Sequence, residues 1–152
     1  LCNMLCKFHT KLRPDVATLA GLTHQIGVLP VLQFAEHYPA LLRDSMTLDA
    51  VIREVHAPLG VKILSEWEFP PDIRRVPQQH LEFDRCPDKA DYADIVTVAM
   101  MQSLAANGKH FGDIDYTSIG AFERLGIDPD FESSMTEDLD AEMAAAMKML
   151  NA

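Results

Sequence analysis

Apolar residues recur at helical spacing along most of the chain, and proline or glycine separates one helical stretch from the next. The clearest stretch is "DYADIVTVAMMQSLAANG", with Gly108 as its stop signal. Its inward stripe is predicted to consist of Ala93, Val96, Met100 and Leu104. The best candidate for a strand is 28–32, but it contains Pro30. A proline cannot donate to a sheet ladder, so it is not expected in a central strand. The sequence therefore predicts an all-α fold, a compact bundle of many helices.

Shorter helices are expected on either side of this one. The N-terminal ones are predicted over 1–12, over 14–27 with Gly27 near the end, and over 31–36. The second helix should face inward with Val16, Leu19, Ala20, Thr23 and Ile26. Pro58 cannot donate to a helical ladder, so the stretch from Met46 is expected to break near His56 and restart at Pro58. Short helices are also expected in "PDIRRVPQQHL" and "YTSIGAFERLGID".

The two ends of the chain differ in character. No capping residue precedes the first apolar stripe at Leu1, so we expect a missing N-terminal portion. At the other end, Ser134 and Glu137 form a capping-box pattern. The apolar face that follows consists of Met143, Ala146, Met147 and Leu150. We therefore expect a helical domain over 1–130, with an amphipathic helix over 131–152 docking on it.

Charge and cysteine content exclude several classes of function. The 152 residues carry a formal net charge of −10, so counterion release cannot drive binding to nucleic acid, and an anionic membrane surface is disfavoured. The odd number of cysteines, with no C-x-x-C pair, predicts neither a disulfide framework nor a zinc knuckle. No secretory signal is visible. We expect a cytoplasmic protein that binds neither nucleic acid nor membrane.

Six histidines are the main candidates for chemistry. His9, His37 and His110 lie in polar surroundings and are interpreted as surface residues. His24, His56 and His80 lie near helix ends or on apolar faces, and antiparallel packing of successive helices would bring them together. Each one alone is more often a satisfied core residue than a ligand. No nucleophile motif and no phosphate-binding glycine loop accompanies them.

Four stretches together carry a resemblance: "LAGLTHQIGVLPV", "HAPLGVKILSEWEFPPDIRR", "QQHLE" and "DYADIVTVAMMQSLA". Over about 12–130 the chain resembles the HDOD family, the HD-related output domains of bacterial signalling proteins. The most specific part runs from His56 through Trp67 to Pro70. The resemblance implies an HD-like helical bundle in a bacterial regulatory protein. It also implies a relationship to HD metal-dependent phosphohydrolases, including those that cleave cyclic di-GMP.

The resemblance also shows what this chain lacks. The catalytic relatives have a His-Asp pair where His24-Gln25 stands, and a further aspartate near the position of Met100. Hard metals such as Mg²⁺ and Mn²⁺ prefer carboxylate ligands, and an amide and a thioether are poor replacements. We therefore predict no catalytic residues, no bound metal and no cofactor. The remnant of the site is predicted to be a pocket lined by His24, Gln25, His56, Gln79, His80 and Met100.

The prediction that follows is a non-catalytic signalling domain. It would act through contacts with a protein partner, with a fused signalling domain or with a second copy of itself. One alternative is an HD-type phosphohydrolase of cyclic dinucleotides or nucleotides with an unusual ligand set. Another is a small-molecule sensor that uses the remnant pocket, although hydrogen bonding among its own groups would satisfy the same side chains.

Overall fold

The computed structural model describes residues 1–109, 112 and 114–129, and these residues form helices, turns and loops with no strand. The helices are α1 (Cys2–His9), α2 (Pro14–Thr23), α3 (Val28–Glu36), α4 (Pro39–Arg43), α5 (Ser45–Glu66), α6 (Pro71–Arg74), α7 (Val76–Gln79), α8 (Tyr92–Ala106) and α9 (Gly120–Leu125). A single 3-10 turn, Tyr116–Ser118, precedes α9. The predicted all-α class is confirmed.

Helix α8 lies at the centre of the bundle. It begins at a capping box, in which the Asp91 side chain accepts from the Asp94 N–H and the Asp94 side chain accepts from the Asp91 N–H. Helices α1, α2, α7 and α9 all pack against it. Every residue from Tyr92 to Ala99 is buried, so the first half of α8 has no solvent face. The predicted single stripe is therefore too narrow, and Met101 is fully buried where Met100 is only half-buried.

Helix α5 is continuous through Pro58, so the predicted break at this proline is wrong. The helix starts where the Asp44 side chain accepts from the Thr47 N–H at 3.1 Å. Proline has no N–H, so the carbonyl of Glu54, four residues earlier, receives no hydrogen bond within the helix. Pro58 and Glu54 are both exposed. Because both residues lie on the exposed side of α5, the unpaired carbonyl does not have to be buried, and the helix continues.

The junction of α2 and α3 also differs from its prediction. Helix α2 ends at Thr23, and a turn over 24–27 leads into α3. Its buried residues are Ala17, Ala20 and Thr23, whereas Leu19 is 37% exposed, so the inward face is rotated from the expected one. The small buried residues allow α1 to approach closely: a Cβ on Gly21 would lie 2.7 Å from Cys2 Sγ.

Helices α2 and α3 together are strongly apolar. The stretch Pro14–Glu36 is long and apolar enough to cross a membrane by length and composition alone, with a mean hydropathy of 1.2 over its best window. This is weak evidence, because core helices of folded domains have the same composition. Here α2 packs on α1 and α8, and α3 packs on α5. Both helices therefore have partners within the bundle.

Helices α3, α4 and α5 pack on one another, and α5 also packs on α6 and α7. Large apolar side chains are exposed on α3, α4 and the N-terminal part of α5, and we call this set of side chains the α3–α5 face. It comprises Leu29, Leu32, Phe34, Tyr38, Leu42, Met46 and Val51. The rings of Phe34 and Tyr38 contact each other with centroids 4.7 Å apart and planes tilted by 33°.

Two expectations fall outside the described residues. One is the surface position of His110, and the other is the amphipathic helix over 131–152. The surface positions of His9 and His37 are confirmed. Of the two cysteines in α1, Cys6 is buried and Cys2 is half-buried, as small apolar residues would be.

Candidate functional site

Three histidines from different parts of the chain meet between α2, α5 and α7. His24 follows the last residue of α2, His56 lies in the middle of α5, and His80 follows the last residue of α7. The rings of His24 and His80 meet edge to face with centroids 5.1 Å apart. The rings of His56 and His80 are 6.3 Å apart. The expected convergence of these histidines is therefore present, with His80 in the middle.

Backbone carbonyls hold two of the three rings in place. His24 Nδ1 donates to the Gly21 carbonyl at 2.7 Å, and His80 Nδ1 donates to the Val76 carbonyl at 2.8 Å. A carbonyl oxygen only accepts, so Nδ1 carries the hydrogen in both rings. In a neutral ring this leaves Nε2 as a hydrogen-bond acceptor. The local helix geometry therefore fixes the tautomer as well as the orientation of both side chains.

Two ring nitrogens in the cluster have no hydrogen-bond partner among the described residues. They are His80 Nε2 and His56 Nδ1, and both are buried. His80 is completely buried and His56 is 7% exposed. A buried polar atom without a partner costs about 1–3 kcal/mol. The cluster therefore retains hydrogen-bonding capacity that the surrounding protein does not use.

Burial keeps the cluster uncharged. Burial is the main cause that lowers the pKa of His80 to about 4, and the neighbouring His24 and His56 contribute to the same shift. Burial is also the main cause that lowers the pKa values of His24 and His56. Among the described groups, no carboxylate contributes to these three pKa values. At neutral pH the site is a group of neutral imidazoles.

Close backbone contacts fix the helices that carry the histidines. A side chain on Gly27 would overlap the carbonyl oxygen of His56 and come within 2.6 Å of the Gly60 nitrogen. A Cβ on Gly60 would in turn lie 2.8 Å from Pro77 Cβ. Gly27, predicted as a helix-end residue, is thus needed because α5 passes directly against the turn over 24–27.

Helix α8 contributes one polar contact to the cluster. The hydroxyl of the buried Thr97 lies within hydrogen-bond distance of two carbonyl oxygens. One belongs to His80, at 2.9 Å, and the other to Ala93, one turn earlier in α8, at 2.8 Å. This contact ties the end of α7 to the centre of the bundle. Thr97 was not predicted as a site residue, because a threonine in an apolar helix gives no signal of its distant partner.

The other predicted pocket residues lie elsewhere or at the edge. Gln25 is exposed on the turn after α2, and Met100 is half-buried against the α8 core. Gln79 lines a separate polar cavity of about 200 Å³. The other residues lining that cavity are Leu12, Asp72, Arg75, Asp91 and Tyr92. Within the described part of the chain, no three His, Cys, Asp or Glu residues are arranged to hold a metal ion.

Among the described residues, the buried carboxylate belongs to Asp94, and two arginines bind it. Arg124 binds it through two hydrogen bonds of 2.9 and 2.7 Å, and Arg85 adds a third of 2.8 Å. Arg85 also binds Asp91 through two bonds of 2.9 Å. Burial alone would raise the pKa of Asp91, but the bonds from Arg85 and the Asp94 N–H hold it below its usual value. This network joins α8, α9 and the loop before α8.

Comparison with solved structures identifies the class of fold. The chain superimposes with a TM-score of 0.68 and 27% identity on a protein from Shewanella amazonensis SB2B described as a "putative metal-dependent phosphohydrolase". The match covers 87% of this chain and 48% of that chain, so this chain spans about half the length of its relative. The fold is therefore that of HD-like proteins.

A family model gives a more specific classification than the fold comparison does. The HDOD domain model matches residues 1–83, more than half of the sequence, and the chain belongs to the HDOD domain family. The matched region starts earlier and ends earlier than the resemblance expected over 12–130. It includes all three clustered histidines. No curated protein matches the sequence.

Proposed function

We propose that the chain is a non-catalytic regulatory domain of a bacterial signalling protein, acting in the cytoplasm through protein contacts. The observation that carries this proposal is the neutral histidine cluster. It occupies the junction of α2, α5 and α7 with no carboxylate acting on it among the described groups. Gln25, in the position where catalytic relatives have an aspartate, is exposed to solvent.

The donor set does not fit the metal centre that HD phosphohydrolases imply. Phosphate ester hydrolysis there needs hard divalent cations that activate water and neutralise developing charge. Such cations prefer carboxylates, and this cluster offers imidazoles alone. Imidazoles do suit borderline ions such as Zn²⁺, but the residues that the structure describes include no three-ligand arrangement for one. We therefore assign no hydrolytic step to the cluster.

The α3–α5 face supports action through protein contacts. Phe34 is 59% exposed, Leu29 60% and Met46 83%, and these side chains belong to helices that pack on one another. Groups of exposed apolar side chains often mark protein interaction sites. An aromatic pair such as Phe34 and Tyr38 is typical of the centre of protein interfaces.

Metal content and turnover test the absence of catalysis. The purified chain is analysed for metals and assayed with cyclic di-GMP and mononucleotides in the presence of excess Mn²⁺ or Fe²⁺. We expect no stoichiometric metal, and the same background hydrolysis for the chain and for His80→Asn. Stoichiometric metal together with turnover that His80→Asn abolishes would establish the competing function, a phosphohydrolase.

Light scattering and an interaction screen test the contact role. We expect association with itself or with a partner signalling domain, lost in Phe34→Ser with Leu42→Ser on the α3–α5 face. The control is Leu22→Ser, which removes a 76% exposed leucine from α2. A chain that stays strictly monomeric and captures no partner, with or without these changes, would contradict the proposal.

A further inference from the structure

The cavity that Gln79 lines lies apart from the histidine cluster, where three parts of the chain meet. These are the loop between α1 and α2, the segment of α6 and α7, and the start of α8. Asp72 and Arg75 are exposed, Gln79 is half-buried and Tyr92 is 8% exposed, so the cavity opens at the first two residues. Its volume of about 200 Å³ suits a ligand smaller than a drug-sized molecule.

Several polar groups on the cavity wall are available to a ligand. The side chains of Asp72, Arg75 and Gln79 make no hydrogen bond or ion pair with any residue that the structure describes. The Arg13 backbone N–H donates to Tyr92 Oη at 3.3 Å, which leaves the hydroxyl hydrogen of the tyrosine to donate elsewhere. The wall therefore offers a guanidinium, a carboxylate, an amide and a hydroxyl donor.

The charges of the wall decide which class of ligand fits. Asp91 receives two hydrogen bonds of 2.9 Å from Arg85, so its negative charge is already compensated. Asp72 and Arg75 remain, three residues apart, and their Cβ atoms at that helical spacing are roughly 5–6 Å apart. Asp72 would repel a simple anion, and Arg75 would repel a simple cation. A small molecule that carries both an ammonium and a carboxylate group satisfies both side chains.

We propose that this cavity binds a free α-amino acid with a small apolar side chain. Its ammonium group pairs with Asp72 and its carboxylate with Arg75. The amide of Gln79 and the hydroxyl of Tyr92 donate to the same carboxylate, and the half-buried Leu12 contacts the apolar side chain. Both ion pairs are exposed to solvent, so the dissociation constant is on the order of 1 mM. The proposal goes beyond the regulatory function and does not depend on it.

Titration of the full isotope-labelled chain, followed by NMR chemical shifts, tests the proposal. The probes are L-valine and two analogues: isobutylamine, which lacks the carboxylate of valine, and isovalerate, which lacks its ammonium group. We expect valine to shift the backbone amide signals of Gln79 and Tyr92 in a saturable way. Each analogue should bind about tenfold more weakly, as the loss of one charge-assisted hydrogen bond would give.

Substitutions with matched controls supply the second readout. Arg75→Gln should weaken valine binding about tenfold without weakening isobutylamine, and Asp72→Asn should weaken valine binding about tenfold without weakening isovalerate. The controls Arg53→Gln and Asp49→Asn remove charges from α5, outside the cavity, and should leave the affinity for valine unchanged. All four positions are exposed, so none of these changes removes a core side chain.

Three results would each overturn the proposal. The first is the absence of a saturable shift with valine. The second is equal affinity for valine and either analogue, because the site would then recognise a single charge. The third is valine binding that the two cavity substitutions weaken no more than the two controls on α5 do. None of these results depends on whether the chain binds metal, hydrolyses a nucleotide or associates with a partner.

Discussion

Lowering the pH should destabilise this bundle through protonation of His80. In the folded chain the pKa of His80 is lowered from 6.5 to about 4, because the ring is buried among two other histidines. The unfolded chain therefore binds the proton more tightly than the folded chain does. The stabilising contribution is fully present above pH 6.5 and is lost as the pH falls towards 4. At 1.36 kcal/mol per unit, the complete loss is about 3 kcal/mol.

Urea unfolding at pH 7.0, 5.5 and 4.5 measures this effect. Between the first and last pH, His80 alone should lower the free energy of unfolding by about 2 kcal/mol. The pKa values of His24 and His56 are lowered too, so they add to the loss in the same direction. A domain of this size has only about 5–15 kcal/mol of stability, so the change is readily detected.

The variant His80→Asn isolates the contribution of His80. The asparagine amide can still donate to the Val76 carbonyl, but it does not titrate in this range. We expect a less stable protein at pH 7 whose stability falls by about 2 kcal/mol less on acidification. The matched control is His37→Asn at an exposed histidine that also contacts a carbonyl one turn earlier. If His80→Asn leaves the pH dependence unchanged, or His37→Asn flattens it equally, the burial argument fails.

Two structural contacts give further predictions, each checked by urea unfolding at pH 7. Arg124→Ala removes two hydrogen bonds from the buried carboxylate of Asp94 and should cost about 3 kcal/mol, whereas Arg13→Ala breaks an exposed ion pair and should cost less than about 1 kcal/mol. Equal costs would refute the role of burial. Gly27→Ala forces a methyl group onto a backbone carbonyl and should cost several times more than Gly21→Ala, which meets a cysteine side chain that can rotate. The reverse order would refute the backbone contact.

Helical periodicity predicted the class of fold, because each helix must bury a stripe of apolar residues. Periodicity did not predict the features that contacts between helices determine, such as the continuity of α5 and the buried face of α8. Pro58 was predicted to break α5, but it lies on the exposed side of the helix. The carbonyl that loses its hydrogen bond there does not have to be buried, so the helix continues. In α8 the first half is surrounded on all sides, so no stripe could identify its inward face. A step of one residue turns a helix by 100°, which separates the buried Met101 from the half-buried Met100.

The candidate site was predicted only in part for related reasons. The three histidines meet because α7 packs on α5 and the turn after α2 passes directly against the middle of α5. The directions of Gln25 and Gln79 depend on single turns that the sequence does not specify. The contact between Arg124 and Asp94 joins residues 30 positions apart, and local patterns show only the capping box at Asp91.

In the part of the chain that the structure describes, arginine side chains compensate the buried negative charge. A buried carboxylate requires compensating charge, from a metal ion or from basic side chains. In this bundle the buried carboxylate is Asp94, and two arginines compensate it at the α8–α9 contact. Among the described groups, no carboxylate raises the pKa values of the three clustered histidines. Burial therefore lowers these pKa values and keeps all three rings neutral. Among the described residues, His80 Nε2 is a buried acceptor without a partner, but a neutral imidazole cannot supply the negative charge that hard cations need.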